Sequence, residues 1–176
     1  MKKLIKINAP NVVLEACNIL NEGGIIAYPT DTLYGLGCDS KNKRAIKKLN
    51  KIKNRSGPIS VIAPNRKTAI DWMFIKENEK KTIKNKLKNG NTVIVPVKNN
   101  ICSNLILGKE NTLGIRIPEH LFCKKLSNLF PNPITSTSVN QTGEKPLTKP
   151  KDISNKFKKN IDLIIDDGII NGTGSK

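Results

Sequence analysis

The sequence has few aromatic side chains and only one histidine. Aromatic residues make up 4% of its 176 residues, and His120 is the single histidine. Proteins that bind single-stranded nucleic acid need aromatic platforms on which bases stack, so this composition weakens that interpretation. His120 follows Pro118-Glu119 at a predicted helix start and is interpreted as a surface residue. A mechanism that depends on a histidine base is therefore not favoured.

Paired cysteines and long apolar runs are also missing. The four cysteines are far apart in the sequence and form no C-x-x-C pair, which argues against a zinc site and a disulfide framework. Reduced thiols are typical of a cytoplasmic protein. No apolar run approaches the roughly 20 residues that cross a membrane. We therefore expect a cytoplasmic protein with no membrane association.

Arginine is scarce although the chain is strongly basic. The net charge is +17, and only four of the 31 basic residues are arginine, namely Arg44, Arg55, Arg66 and Arg116. Part of the lysine excess can reflect the codon bias of an AT-rich genome. The remaining charge still favours an anionic partner such as ATP, RNA or an acidic surface. A length of 176 residues predicts one domain over residues 1–176, with no second domain.

Short apolar runs alternate with segments of helical periodicity along the chain. This alternation predicts an α/β fold with a mostly central sheet. The second predicted helix is capped by Ser40 and buries Ala45, Ile46 and Leu49. The predicted strands cover residues 4–7, 24–28, 59–63, 91–97, 112–117 and 161–165.

A strand that ends in polar residues is the most informative segment. The apolar run from Gly24 to Tyr28 ends at Pro29, and Thr30, Asp31 and Thr32 follow. Gly35 and Gly37 then predict a polar, glycine-containing turn. Such a turn at a strand end is where an α/β protein usually binds its ligand.

Two cations follow the second predicted helix. Lys53 and Arg55 are two residues apart, and only Ser56 and Gly57 separate Arg55 from Pro58. Arginine can hold a phosphate with two parallel hydrogen bonds, whereas lysine acts as a mobile point charge. The pair is either a solvated helix end or a phosphate site, and the scarcity of arginine favours the latter.

Arg116 and a hydroxyl cluster provide two further candidates. Arg116 lies inside an apolar strand, on the same side as Gly114 and Thr112. It is either a surface arginine or an anchor for a carboxylate or phosphate, and the sequence leaves both open. The hydroxyls at 135–138, followed by Asn140, can bind ligand oxygens or a hydrated metal ion, or form a capping turn.

Together, these segments resemble the YrdC-like family of threonylcarbamoyl-AMP synthases. The likeness rests on Tyr28 to Gly37, Lys53-x-Arg55, Ser138-x-Asn140 and Asp162 to Gly168, in that order. It implies a nucleotidyltransferase that joins L-threonine, bicarbonate and ATP into threonylcarbamoyl-AMP and releases pyrophosphate. A threonylcarbamoyl-transferase complex would then modify tRNA beside the anticodon. The implied fold is a twisted mixed sheet flanked by helices around a basic concave cavity.

The resemblance also assigns residues to the two substrates. Lys53 and Arg55 would be the catalytic residues. The residues implied for ATP and its Mg²⁺ are Lys53, Arg55, Thr112, Ser138 and Asn140. The residues implied for L-threonine are Thr32, Arg116, Ser136 and Ser175. No protein side chain is assigned as a ligand of the metal.

Two other functions are compatible with the same sequence. The high charge, and an ending at Lys176 where the family usually continues into a further strand, suit a module that binds tRNA or ribosomal RNA without catalysis. A related carbamoyl transfer, as in the YrdC-like part of hydrogenase-maturation proteins, is the other. Those proteins are much longer chains, which disfavours this alternative.

Overall fold

The structure is a computed structural model that describes residues 3–157 and 159–174. Eight strands are formed within these residues: β1 Lys3–Lys6, β2 Ile26–Pro29, β3 Tyr34–Gly37, β4 Ser60–Ile62, β5 Thr92–Pro96, β6 Thr112–Arg116, β7 Ile134–Ser138 and β8 Leu163–Asp166. The same residues form six α-helices: α1 Val12–Asn21, α2 Lys43–Lys53, α3 Arg66–Trp72, α4 Glu77–Lys86, α5 Leu121–Leu129 and α6 Pro150–Phe157. The predicted α/β class is confirmed.

The described strands form one mixed sheet in the order β1-β8-β2-β3-β7-β4-β6-β5. β8 pairs in parallel with both β1 and β2, and β4 pairs in parallel with β6. The pairs β2–β3, β3–β7, β4–β7 and β5–β6 are antiparallel. This arrangement confirms a mixed sheet flanked by helices, and it brings β3, β7, β4 and β6 side by side.

Helices cover the two faces of the sheet to different extents. On one face, α2 and α6 pack against β3, β4 and β6 through a continuous apolar cluster. On the other face, α1 and α5 pack over β2 and β8 through residues such as Leu20, Phe122 and Leu126. Beyond these two helices, this second face is lined by small residues, which paired strands place on the same side of the sheet: Gly35, Ser60, Gly114, Ser136 and Ser138. These small residues leave a polar depression on this face of the sheet, which is called the polar basin below.

Gly35 and Gly37 lie in strand β3, so the prediction that they belong to the turn is wrong. They lie against the ring of Tyr28, which is fully buried on β2. A Cβ atom on Gly37 would stand 2.6 Å from Tyr28 Cε1, and one on Gly35 would stand 3.2 Å from Tyr28 Cζ. The two glycines therefore make room for an aromatic ring across the hairpin.

Helix α2 carries Lys53 to the end of strand β7, and the start of this helix differs from the prediction. The side chain of Asn42 accepts hydrogen bonds from the amides of Arg44 and Ala45, so Asn42 is the N-cap. Ser40, the predicted cap, is instead fully buried before the helix. The predicted core residues Ala45, Ile46 and Leu49 are buried, and Lys53 is the last residue of the helix rather than the first beyond it.

Candidate active site

The polar basin contains a cavity of about 230 Å³ between the β2–β3 turn, β7 and the end of β6. The residues that line it are Thr30, Thr32, Leu33, Tyr34, Gly35, Ser60, Arg116, Ser136, Thr137, Ser138 and Gly174. Six of these residues carry a hydroxyl on an aliphatic side chain, and Arg116 adds a guanidinium, so seven side chains can bond a ligand's oxygen atoms. The lining therefore suits a small polar molecule better than an apolar one.

Thr30 organises the turn that forms one wall of this cavity. Its hydroxyl donates to the Leu33 carbonyl at 2.7 Å and accepts from the amides of Thr32 and Leu33, each at 3.2 Å. The Thr30 and Thr32 hydroxyl oxygens are 3.1 Å apart. Because Thr30 is 4% exposed, its contribution is to fix the turn, and Thr32 presents the accessible hydroxyl.

Arg116 is buried at the wall of the cavity and paired with this turn. The residue is 5% exposed. Its Nη2 donates to Asp31 Oδ1 at 2.6 Å, and its Nη1 donates to Thr32 Oγ1 at 3.2 Å. Its Nε is buried with no hydrogen-bond partner among the described residues. Of the two interpretations left open by the sequence, the structure excludes an ordinary surface arginine.

Lys53 reaches strand β7 from the end of α2 and binds there. Its Nζ donates to the Ser138 carbonyl and to Asn140 Oδ1, both at 2.7 Å. The Ser138 hydroxyl donates to the same Asn140 oxygen at 2.6 Å, and Asn140 Nδ2 donates to the Glu144 carbonyl. Lys53, Ser138 and Asn140 therefore form one hydrogen-bonded cluster, and Ser138 joins it to the cavity.

In the part of the chain that the structure describes, no carboxylate forms an ion pair with Lys53. Burial, and secondarily the guanidinium of Arg55, lower the pKa of Lys53 to about 8. Arg55 itself is exposed, and its side chain makes no hydrogen bond or ion pair within residues 3–157 and 159–174. Two nearby cations with no anionic partner among the described residues favour the binding of a polyanion such as a triphosphate.

The segment after β8 passes over the cavity. The Tyr34 hydroxyl accepts from the Asp167 amide at 3.0 Å and donates to the Gly168 carbonyl at 2.9 Å. Farther along, a Cβ atom on Gly172 would overlap the Thr32 carbonyl oxygen, so the two backbones are in direct contact there. Gly174 then joins the lining. The absence of a side chain at Gly172 lets this segment lie against the turn.

Several predicted residues come together, and others do not. Thr32, Arg116, Ser136 and Ser138 line one cavity, and Lys53 and Asn140 adjoin it. Thr112 lies at the start of β6, where its hydroxyl donates to the Lys109 carbonyl, outside the cavity lining. Ser175 lies outside the described residues. The roles of all these residues remain predictions.

The sequence did not single out Asp31 or Ser60 as separate site residues. The sequence places Asp31 only within the polar turn, and nothing local indicates that it pairs with Arg116, 85 residues away. Ser60 had one signal, because it is the single polar residue in an apolar strand from Ile59 to Ala63. Its partner across the sheet is Ser136.

His120 differs from its interpretation as a plain surface residue. Its Nε2 lies 3.1 Å from Asp167 Oδ2, and its side chain is only 18% exposed. The residue precedes α5 and does not line the cavity. A role for it in the chemistry is therefore not supported.

Neither a metal cluster nor a membrane span is found in the described part of the chain. No three side chains of His, Cys, Asp or Glu within residues 3–157 and 159–174 are grouped as metal ligands would be. None of the helices in those residues is long and apolar enough to cross a bilayer. The four cysteines are free thiols in the structure.

Comparison with known proteins agrees with this geometry. The Sua5/YciO/YrdC family model, described as "Telomere recombination", matches residues 18–176. The threonylcarbamoyl-AMP synthase of Photobacterium profundum is 32% identical over 86% of this chain and 84% of its own length. The threonylcarbamoyl-AMP synthase of Hydrogenovibrio crunogenus is 35% identical over 80% of this chain and 79% of its own length.

Solved structures share the fold. The H234A/Y235A variant of P. abyssi Sua5 superimposes with a TM-score of 0.88 at 25% identity, over 99% of this chain and 56% of Sua5. P. abyssi Sua5 complexed with L-threonine gives a TM-score of 0.83 at 24% identity, over 96% of this chain and 51% of Sua5. This chain therefore spans about half the length of Sua5. The predicted resemblance and the expectation of an enzyme are confirmed, and the chain belongs to the Sua5/YciO/YrdC family.

Proposed function

We propose that the protein is a threonylcarbamoyl-AMP synthase, which forms threonylcarbamoyl-AMP and pyrophosphate from L-threonine, bicarbonate and ATP. One observation carries the proposal: a hydroxyl-lined cavity with a buried guanidinium adjoins a lysine cluster with unbalanced positive charge. The first suits an amino acid and the second a triphosphate. The names of the relatives from P. profundum and H. crunogenus support it.

The chemistry suits a site that is rich in cations and hydroxyls. The threonine amine adds to bicarbonate with loss of water and gives a carbamate. A carbamate oxygen then attacks the α-phosphorus of ATP, and the bond to the leaving pyrophosphate breaks. Such a displacement depends on alignment and on positive charge around the phosphates. Lys53 and Arg55 supply that charge, while Ser138 and Asn140 hold Lys53 in place.

The cavity is proposed to bind threonine by its carboxylate and its hydroxyl. Arg116 would receive the carboxylate, and Thr32 and Ser136 lie in the same lining. The complex of P. abyssi Sua5 with L-threonine is in keeping with this. Serine lacks only the methyl group, so discrimination against it should stay within about 10–200-fold. Valine should be rejected more strongly, because it leaves a hydrogen-bonding group unpaired.

Mg²⁺ is proposed to enter with ATP rather than to reside in the protein. Mg²⁺ keeps several waters and is commonly held by substrate phosphates with few protein ligands. The donors beside the proposed phosphate site are hydroxyl and amide oxygens of Ser138 and Asn140, which is compatible with that mode. The metal would neutralise phosphate charge there.

The wider biological setting is also part of the proposal. The product would pass to a threonylcarbamoyl-transferase complex that modifies an adenosine beside the tRNA anticodon. Reduced cysteines suit a cytoplasmic location. We further propose that residues 1–176 act as one catalytic domain.

Pyrophosphate release tests the proposed function directly. The purified chain is incubated with ATP, Mg²⁺ and bicarbonate, with and without L-threonine, and pyrophosphate and the adenylate are quantified. Release that requires threonine, with equal formation of threonylcarbamoyl-AMP, is expected. Release that is indifferent to threonine would reject the proposal. Strong RNA binding without turnover would favour the non-catalytic alternative.

Affinity for ATP should fall as the pH rises above about 8. The pKa of Lys53 is lowered to about 8, so the ammonium loses its proton over this range. Bound phosphate favours the charged form, and the midpoint in the complex should therefore lie higher than in the free protein. We expect the Kd of a non-hydrolysable ATP analogue to rise several-fold between pH 7.5 and 9.5 by calorimetry. A flat profile, or the same profile in Lys53→Met, would contradict this assignment.

A further inference from the structure

The Asp31 carboxylate bonds the Arg116 guanidinium. Arg116 lines the cavity, whereas Asp31 does not. Asp31 Oδ1 accepts from Arg116 Nη2 at 2.6 Å, and its side chain is 17% exposed against 6% for Arg116. Thr30, Thr32 and Arg116, which surround Asp31, line the cavity, but Asp31 is not part of the lining. Arg116 is the lining residue that the Asp31 side chain bonds, and it is therefore the route by which that side chain can affect a ligand.

The contacts with the turn fix the orientation of the Arg116 side chain, although this orientation leaves one of its nitrogen donors without a hydrogen bond. Thr32 and Asp31 together hold Nη1 and Nη2, while Nε is left buried and unpartnered in the described structure. A buried donor without a partner is costly. Its presence indicates that the contacts with the turn determine where the guanidinium lies.

Gly90 closes the other side of this ion pair. It precedes β5 with φ +66°, and a Cβ atom there would stand 2.3 Å from Asp31 Oδ2 and 3.2 Å from Arg116 Nη2. Both the positive φ and the short contact exclude an ordinary side chain. The turn, β6 and the segment before β5 therefore meet at the Asp31–Arg116 ion pair.

We propose that Asp31 is a positioning residue for the amino-acid substrate: it anchors the Arg116 guanidinium so that its remaining N–H groups meet the substrate carboxylate. The inference rests on the proposed function, because it takes that carboxylate to be threonine's. The pairing also offsets the charge of a buried arginine before substrate binds, so the cation need not be stabilised by solvent.

Steady-state kinetics of Asp31 variants test this. Asp31→Ala should raise KM for L-threonine by about tenfold or more, as expected for the loss of a charge-assisted contact. KM for ATP should stay within about twofold. Asp31→Asn should recover much of the loss, because its amide oxygen can still accept from Nη2. Asp71→Ala, which removes an exposed ion pair with Lys67, is the matched control and should match wild type.

A second variant reaches the same ion pair from the other side. Gly90→Ala should raise KM for threonine in the same direction, since its methyl group displaces the Asp31 carboxylate. Asn100→Ala is the control, because Asn100 also has a positive φ, +65°, but is exposed and lies outside the cavity lining. Thermal melts of all variants separate loss of folding from loss of binding.

The outcomes separate this inference from the proposed function. Threonine-dependent pyrophosphate release by wild type, with KM for threonine raised in Asp31→Ala and Gly90→Ala, supports the positioning role. Active wild type with an unchanged KM for threonine in both variants overturns it and leaves the proposed function intact. Equal rises in KM for ATP and threonine would also overturn it, since they would indicate general distortion. Wild type without threonine-dependent release overturns both.

Discussion

Replacing Arg116 with alanine is expected to lower kcat/KM for L-threonine by about 30-fold to about 5,000-fold. Truncating one partner of a buried charge pair typically costs about 2–5 kcal/mol, and each 1.4 kcal/mol is tenfold. Arg116 is 5% exposed and lines the cavity, so water would replace the guanidinium poorly. Steady-state kinetics with threonine varied at saturating ATP measure the effect.

Arg116→Lys is the informative companion variant. Lysine keeps the charge but lacks the planar fork that bonds Asp31 and Thr32 together. It should therefore restore only part of the lost activity. Binding of the ATP analogue should change little in either variant. If Arg116→Ala leaves KM for threonine unchanged, the carboxylate is not bound here.

Replacing Lys53 with methionine is expected to lower kcat/KM for ATP by about 100- to 1,000-fold. Removing one donor that stabilises charge in a transition state typically costs that much. Lys53 is 3% exposed and is held by Ser138 and Asn140 beside the cavity. KM for threonine should change far less, because Arg116 and Thr32 are untouched.

Thermal stability distinguishes a loss of catalysis in Lys53→Met from misfolding of the variant. The pKa of Lys53 is lowered to about 8 from its usual 10.5. The unfolded chain therefore binds the proton more readily between these values, and the cost to folding begins as the pH falls below 10.5 and is complete below about pH 8. Lys53→Met removes this cost together with the hydrogen bonds to Ser138 and Asn140, so the two effects oppose each other and its melting temperature at neutral pH should stay close to that of wild type. Lys51→Met, an exposed lysine of the same helix, serves as control and should retain full activity.

The fold could be predicted wherever apolar periodicity was strong. Helix α2 is an example, because Ala45, Ile46 and Leu49 recur at helical spacing and are all buried. Its cap could not be read reliably, since Ser40 and Asn42 are both good caps and only the backbone geometry decides between them. Helix α6 was not anticipated, because Pro150–Phe157 has just three buried residues in a lysine-rich segment.

The site was predictable as a set of residues but not as a geometry. Thr32, Arg116, Ser136 and Ser138 were identified from their chemical type and their resemblance to a family. Their meeting depends on strand order, which places β7 between β3 and β4, and local patterns carry no information on that order. The prediction that Gly35 and Gly37 belong to a turn was wrong for the same reason, because the Tyr28 ring that requires them lies on the neighbouring strand.

A crystal structure with L-threonine and a non-hydrolysable ATP analogue tests the central claim most directly. We expect the threonine carboxylate on the Arg116 guanidinium, its hydroxyl among the side chains of Thr32 and Ser136, and the triphosphate beside Lys53 and Arg55. Threonine bound elsewhere, or a nucleotide remote from Lys53 while the protein is active, would contradict the account.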